Sequence, residues 1–184
     1  MSEKRKIWVI SDTHFGHENI IHYCNRPFRS SKEMDDAMQA NWNRVVSPQD
    51  IVYHLGDVYF TGGKDPDYFW KLVKSLKGRK RLVLGNHDEL PNKLLQEHFQ
   101  KITVWRHFGK DYGCILTHVP MQMDAREDDP YQAPFNVHGH IHEKKPSTKR
   151  HICVSVEHID YTPVNLEVLM ATHNKQTATT TDLP

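Results

Sequence analysis

Histidine, aspartate and asparagine recur in this chain at spacings that would let them hold metal ions. Asp12 and His14 stand two apart in Ile10-Ser11-Asp12-Thr13-His14, and Asp57 follows Gly56. Asn86, His87 and Asp88 follow Gly85, His118 stands after Thr117, and His140 and His142 stand two apart in His138-Gly139-His140-Ile141-His142. Neutral imidazole is the commonest protein metal ligand, and the chain carries 14 histidines in 184 residues. Carboxylate, imidazole and amide oxygen together suit zinc, manganese or iron. The seven groups Asp12, His14, Asp57, Asn86, His118, His140 and His142 are too many for one four-coordinate ion, so two divalent ions sharing a carboxylate are expected. Read blandly, these are loop polar residues and helix caps. Their recurrence after successive apolar runs favours a single cluster.

Those runs supply the frame. Short segments rich in β-branched residues, Ile7–Ile10, Ile51–Leu55, Arg81–Leu84, Thr103–Phe108, Cys114–Thr117, Phe135–His138 and Ile152–Val156, read as strands. Ser30-x-x-Glu33 reads as a capping box before a helix whose stripe is Met34, Met38, Trp42 and Val45. Asp65-Pro66 opens a second helix, with Phe69, Leu72, Val73 and Leu76 on its apolar face and Gly78 at its end. A third helix covers roughly residues 91 to 99. This alternation predicts an α/β domain, with the strand-rich second half forming a mixed or antiparallel sheet that faces the first. Each ligand group then falls just after a strand, where α/β sheets assemble their sites. Glycines 56, 85 and 139 allow sharp turns there.

Asp12-x-His14, Gly56-Asp57, Gly85-Asn86-His87-Asp88, His118 and Gly139-His140-x-His142 together resemble the ordered signature of calcineurin-like metallophosphoesterases. Five parts in order carry weight that no single part does. The stretches Asp12-Thr13-His14-Phe15-Gly16-His17-Glu18-Asn19-Ile20-Ile21 and Asn25-Arg26-Pro27-Phe28 are similar to a group of small bacterial and phage phosphoesterases. The resemblance implies a two-sheet β-sandwich flanked by helices. It also implies hydrolysis of phosphomonoesters or phosphodiesters, nucleotides among them, by a hydroxide held between two divalent metals. Asp12, His14 and His142 would bind the first ion, Asn86, His118 and His140 the second, and Asp57 both. His87 would be the catalytic group beside the phosphate, and Asp88 would orient its ring. Manganese is expected to activate best in vitro, with iron, zinc or nickel as alternatives.

Composition narrows the remaining classes. Lys and Arg number 24 against 23 Asp and Glu, a formal net charge of +1, so no global field favours nucleic acid or a membrane. Nucleic-acid ends stay open as a substrate, as does a scaffold role for the fold, although the complete ligand set speaks against the latter. No stretch is apolar and long enough to export or anchor the chain. Cys24, Cys114 and Cys153 form no pairing pattern, which points to a reduced, cytoplasmic setting. The length suits one domain over residues 1–170, with a flexible tail from Ala171 to Pro184. The acidic stretch 121–134 reads as a surface loop.

Other residues carry smaller expectations. His17 and His22 follow the Asp12–His14 turn and are candidate substrate contacts, as is Arg26, whose guanidinium matches phosphate oxygens. His54 and His138 read as buried supporting groups; His98, His107, His151 and His173 read as surface residues. Lys71, Lys74 and Lys77 form the solvated face of the second helix.

Overall fold

The computed structural model describes residues 5–60, 66–123 and 133–179. In chain order the elements are β1 (Ile7–Ile10), α1 (Glu18–Tyr23), α2 (Ser31–Val45), β2 (Ile51–His54), α3 (Pro66–Ser75), β3 (Arg79–Val83), α4 (Lys93–His98), β4 (Lys101–Thr103), β5 (Trp105–Phe108), α5 (Gly109–Tyr112), β6 (Cys114–Thr117), β7 (Phe135–His138), β8 (His151–Cys153), a 3-10 turn over Val156–His158, β9 (Val164–Asn165) and α6 (Leu166–Thr179). One sheet has the order β4-β3-β2-β1-β9 and the other β5-β6-β7-β8. Strands β1 to β4 run parallel, and β9 closes their edge antiparallel to β1. In the second sheet β6, β7 and β8 are parallel and β5 is antiparallel to β6. Both sheets are therefore mixed, and helices flank them.

Strand alternation decides which core each side chain enters. Ile10, Val52 and Leu82 turn toward Met34, Met38 and Trp42 of α2 and Phe69, Leu72 and Val73 of α3. Their neighbours Val9, Tyr53 and Val83 turn the other way, onto Leu116 and Val137 of the second sheet. Because both faces of the first sheet are covered, its strands read as continuous apolar runs rather than alternating ones.

The expected caps are partly as read. Ser30 Oγ accepts from Glu33 N at 3.2 Å, but the Glu33 carboxylate reaches back to Arg29 N at 2.9 Å instead of to Ser30. The second helix begins at Pro66 as expected, while Asp65, its expected cap, lies outside the described residues. Lys71, Lys74 and Lys77 are exposed.

Several boundaries differ from the sequence expectations. The single strand expected over 103–108 is two, β4 and β5, which lie in different sheets. Val104, 71% exposed, is the residue at which the chain leaves one sheet for the other. The short elements α1, α5 and β9 give too little period to be legible. Ala171, the expected start of a tail, lies within α6, which continues to Thr179 because Leu166 and Met170 anchor its start against the inter-sheet core. Most of the expected acidic loop, residues 124–132, lies outside the described residues. No helix among the described residues is long and apolar enough to cross a membrane.

Candidate metal centre

The loops after β1 and β2 run side by side, joined by backbone bonds from Asp12 N to Gly56 O, His14 N to Asp57 O and Phe15 N to Val58 O, each 3.0 Å. The second sheet is tied on where Ser11 N donates to Val154 O at 3.0 Å, and within it Gly139 N donates to His118 O at 2.9 Å, joining the loops after β6 and β7. Five of the seven proposed ligands sit in the left-handed region: Asp12 at φ 56, His14 at 46, Asp57 at 57, His140 at 70 and His142 at 50. Each such non-glycine residue costs about 1–3 kcal/mol and persists only where its surroundings over-determine it. Glycines permit the close approach. A Cβ on Gly85 would collide with the Asp57 carboxylate, and one on Gly139 would run into Ser11 Oγ and Asp12 Oδ2.

Among the described residues, Cys24, His142 and Glu157 form one group of converging ligand atoms, and the candidate ligands form two more. Atoms of Asp12, His14 and His142 lie within 4.8 Å of one another, as do atoms of Asp12, Asp57 and His118. Asp12 Oδ2 already accepts His140 N at 2.9 Å and Ser155 Oγ at 2.7 Å, yet Oδ1 is buried without a partner. Both ring nitrogens of His14 are likewise buried and unpartnered. A buried acceptor without a donor, here Asp12 Oδ1 and the unprotonated nitrogen of His14, is costly unless a cation meets it. On the other side, His118 Nδ1 lies 2.7 Å from Leu55 O, so it carries the proton and donates. Nε2 is then left with a lone pair, facing Asn86 Oδ1 at 2.8 Å and Asp57 Oδ2 at 3.5 Å. Asn86 Oδ1 also lies 2.9 Å from His140 Nδ1. Carboxylate, amide oxygen and imidazole nitrogen converging in this way are the donor set of a divalent ion, so the residues present fit such an ion.

The titration states of His14 and His140 agree with this. Burial, then the Arg26 and His142 charges, hold His14 well below the usual imidazole range. Burial, then His118, lowers His140. Neutral imidazole is the form that binds metal. His142 is opposed: burial lowers it, but hydrogen bonds to Cys24 and Glu157 outweigh burial and push it up to about 10. A cation at its ring must displace that proton.

The remaining candidates are placed unevenly. The His87 ring lies beside the cluster, 5.5 Å from the His14 ring centroid, and is exposed. Asp88 corrects its expected role. Its Oδ2 accepts Asp57 N at 2.8 Å and Gly85 N at 2.9 Å, and its Oδ1 accepts Val58 N at 3.0 Å. The carboxylate thus ties the β2 and β3 loops together instead of orienting the His87 ring. Arg26 is a second correction. It is buried, with Nε donating to Glu157 Oε1 at 2.9 Å, Nη1 to Thr13 O at 3.0 Å and Met34 Sδ at 3.3 Å, and Nη2 to Asp12 O at 2.8 Å, while Nη2 also lies 2.7 Å from Glu157 Oε1 in an ion pair. With its side chain 0% exposed, the guanidinium is closed to a phosphate. His17 lies 5.6 Å from the His14 ring and 4.3 Å from the Phe60 ring, at the edge of the cluster. His22 is exposed on α1, outside these described ring contacts.

His54 and His138 are buried, as expected. His54 Nδ1 accepts Gly56 N at 3.2 Å, so Nε2 carries the proton toward Thr13 Oγ1 at 2.9 Å, and burial drives its pKa down to about 3. This neutral ring braces the Asp12–His14 turn against the Asp57 turn. His151, expected on the surface, is instead buried, bonded to Thr148 Oγ1 at 2.8 Å and Met121 O at 2.7 Å. Sequence reading missed Glu157 and Ser155. Both are remote in the chain, and only their place after the last parallel strand hinted at them. A cavity of about 670 Å³ beside Met121, Thr148 and His151 is lined by none of the seven ligand candidates.

A family model described as calcineurin-like phosphoesterase matches residues 5–168. An uncharacterized protein of Methanocaldococcus jannaschii is 38% identical over 176 residues, which cover 90% of each chain. The gene 66 protein of Mycobacterium phage L5 is 25% identical over 159 residues, covering 73% of this chain and 76% of the phage protein. The crystal structure of the protein of unknown function AQ665 from Aquifex aeolicus superimposes with a TM-score of 0.73 at 28% identity, covering 92% of this chain and 100% of that one. All the ligand-bearing loops fall within the matched span, and the chain belongs to the calcineurin-like phosphoesterase family.

Proposed function

We propose that this chain is a binuclear metal-dependent phosphoesterase acting on phosphomonoesters or phosphodiesters, nucleotides among them. The observation that carries the reading is the position of Asp57 Oδ2, 3.5 Å from His14 Nε2 and 3.5 Å from His118 Nε2. Atoms bound at about 2 Å to one ion lie roughly 3–3.5 Å apart, so a single carboxylate oxygen at that distance from both rings can serve an ion on either side. Asp12, His14 and His142 complete one side; Asn86, His118 and His140 complete the other. When bound, two divalent ions activate a water and neutralise the phosphoryl oxygens.

The protein groups do the rest. The exposed His87 ring, on the open side of the cluster, protonates the leaving oxygen or stabilises the transition state. His17, with Phe60 packed on its ring at 4.3 Å and Tyr23 edge-on at 6.3 Å, offers an aromatic wall for the organic part of the ester. Manganese is the first ion to try, before iron, zinc and nickel.

The test is metal content and turnover measured together, over a panel of mono- and diesters. Two ions per chain and loss of activity in excess chelator support the reading. Asp57→Asn should lose both metal and rate, since its removal leaves two cations at short range without the carboxylate between them. One ion at saturation, or full turnover in chelator, would overturn it.

A further inference from the structure

Arg26 and Glu157 lie 131 residues apart in the chain, yet they form a buried ion pair, with side chains 0% and 6% exposed. A buried pair is weak support for stability by itself, because apolar residues of similar volume usually do as well. The further attachments of this pair are the informative feature. Besides Met34 Sδ, the guanidinium bonds the carbonyls of Asp12 and Thr13, which lead directly into His14. Glu157 Oε1 lies 3.3 Å from His142 Nδ1. All three ligands of one cluster are therefore tied to one guanidinium, through two backbone carbonyls and one carboxylate.

Each of these three ligands has a left-handed backbone, with φ values of 56, 46 and 50 for Asp12, His14 and His142. Residues of this kind stay in place only when other groups hold them. Arginine suits the task because its planar fork presents five donors in fixed directions, which a lysine ammonium cannot. Glu157 in turn balances a permanent positive charge that would otherwise repel a cation in the adjoining cluster.

We propose that Arg26 and Glu157 are positioning residues for the first metal ion: Glu157 holds the proton of His142 on Nδ1 so that Nε2 faces the ion, and Arg26 locks Glu157 to the Asp12–His14 turn. This rests on the binuclear reading above. A hydrogen-bonded carboxylate behind a ligand imidazole fixes its tautomer and commonly accounts for about 10–100-fold in metal affinity. The Arg26–Glu157 pair does not touch Asn86, His118 or His140, so the second ion should not depend on it.

Stepwise manganese titration by calorimetry, with metal content after dialysis, tests this in Glu157→Leu, Glu157→Gln and Arg26→Lys. Loss in His14→Ala assigns the first ion, and loss in His118→Ala the second. Glu157→Leu and Arg26→Lys should weaken the first ion about 10–100-fold and leave the second within about twofold. Glu157→Gln keeps an acceptor for His142 Nδ1–H and should recover part of the loss. By NMR, the His142 Nδ1–H resonance should be present in the wild type and absent in Glu157→Leu. Should Glu157→Leu fail to fold, Arg26→Lys and the isosteric Glu157→Gln carry the same comparison. Unchanged affinity for both ions, or equal weakening of both, would overturn the proposal. A wild-type protein that takes up no ion would overturn the binuclear reading instead, and the Nδ1–H resonance would then decide the role of Glu157 alone.

Discussion

The backbone N–H of His87 donates to Asp57 Oδ1 at 2.9 Å, while Oδ2 of the same carboxylate faces His14 and His118. The tether that holds residue 87 beside the cluster thus involves no atom of its imidazole. His87→Gln keeps the tether and removes only the ring, so both ions should remain while the rate falls by roughly 10²–10⁴ if the ring is the general acid. Alkyl and nucleoside esters should suffer more than nitrophenyl esters, whose leaving group departs without a proton. Equal losses on both, with metals retained, would assign the ring to stabilisation of the phosphoryl oxygens instead.

Asp88 accepts three backbone N–H groups, from Asp57, Val58 and Gly85. Asp88→Ala leaves all three without that acceptor, so unfolding in urea should become easier by about 2–4 kcal/mol. Metal affinity should fall with it, because Asp57 loses the bond that sets its backbone. Asp88→Asn, which keeps one acceptor oxygen, should fall between. If turnover dropped while stability and metal affinity stayed at wild-type values, the carboxylate would be acting on the His87 ring after all.

Lys80 is 8% exposed, donates to Leu76 O at 2.7 Å, and is driven down by burial to a pKa of about 8. An unfolded lysine titrates near 10.4, so between about pH 8 and 10.4 the unfolded chain holds one proton more than the folded one at this position. Stability from this group therefore rises with pH across that window, by on the order of 3 kcal/mol, and the gain is lost as pH falls back through 8. The difference in unfolding free energy between wild type and Lys80→Met isolates it, with the wild type gaining on the variant as pH climbs. A flat difference from pH 7 to 10.5 would show that the lysine keeps its proton when buried.

Strands β1 and β2 are readable because both faces of the first sheet are covered, which makes Ile7–Ile10 and Ile51–His54 largely apolar. Helix α2 was readable from its stripe Met34, Met38 and Trp42, all buried against the sheet. The break at Val104 was not, since no local signal tells a strand that its second half must pair with Thr117 to Cys114 in another sheet. Nor was the role of Arg26. Its type matched a phosphate contact, but Glu157, which claims its charge, lies 131 residues away.

The chemistry and order of the candidate ligands belong to the sequence alone: Asp12, His14, Asp57, Asn86, His118, His140 and His142 each follow an apolar run, and alternating strands and helices bring the ends of those runs to one side. The geometry of the cluster does not. The left-handed backbones of Asp12, His14, Asp57, His140 and His142 run against local preference, and are held by hydrogen bonds that cross between loops and between sheets. Which oxygen of Asp12 stays free, and which buried side chains brace the candidate ligands, depends on contacts between segments more than a hundred residues apart, and which oxygen of Asp57 faces the cluster depends on His87, 30 residues away. Such contacts exist only once both sheets have packed.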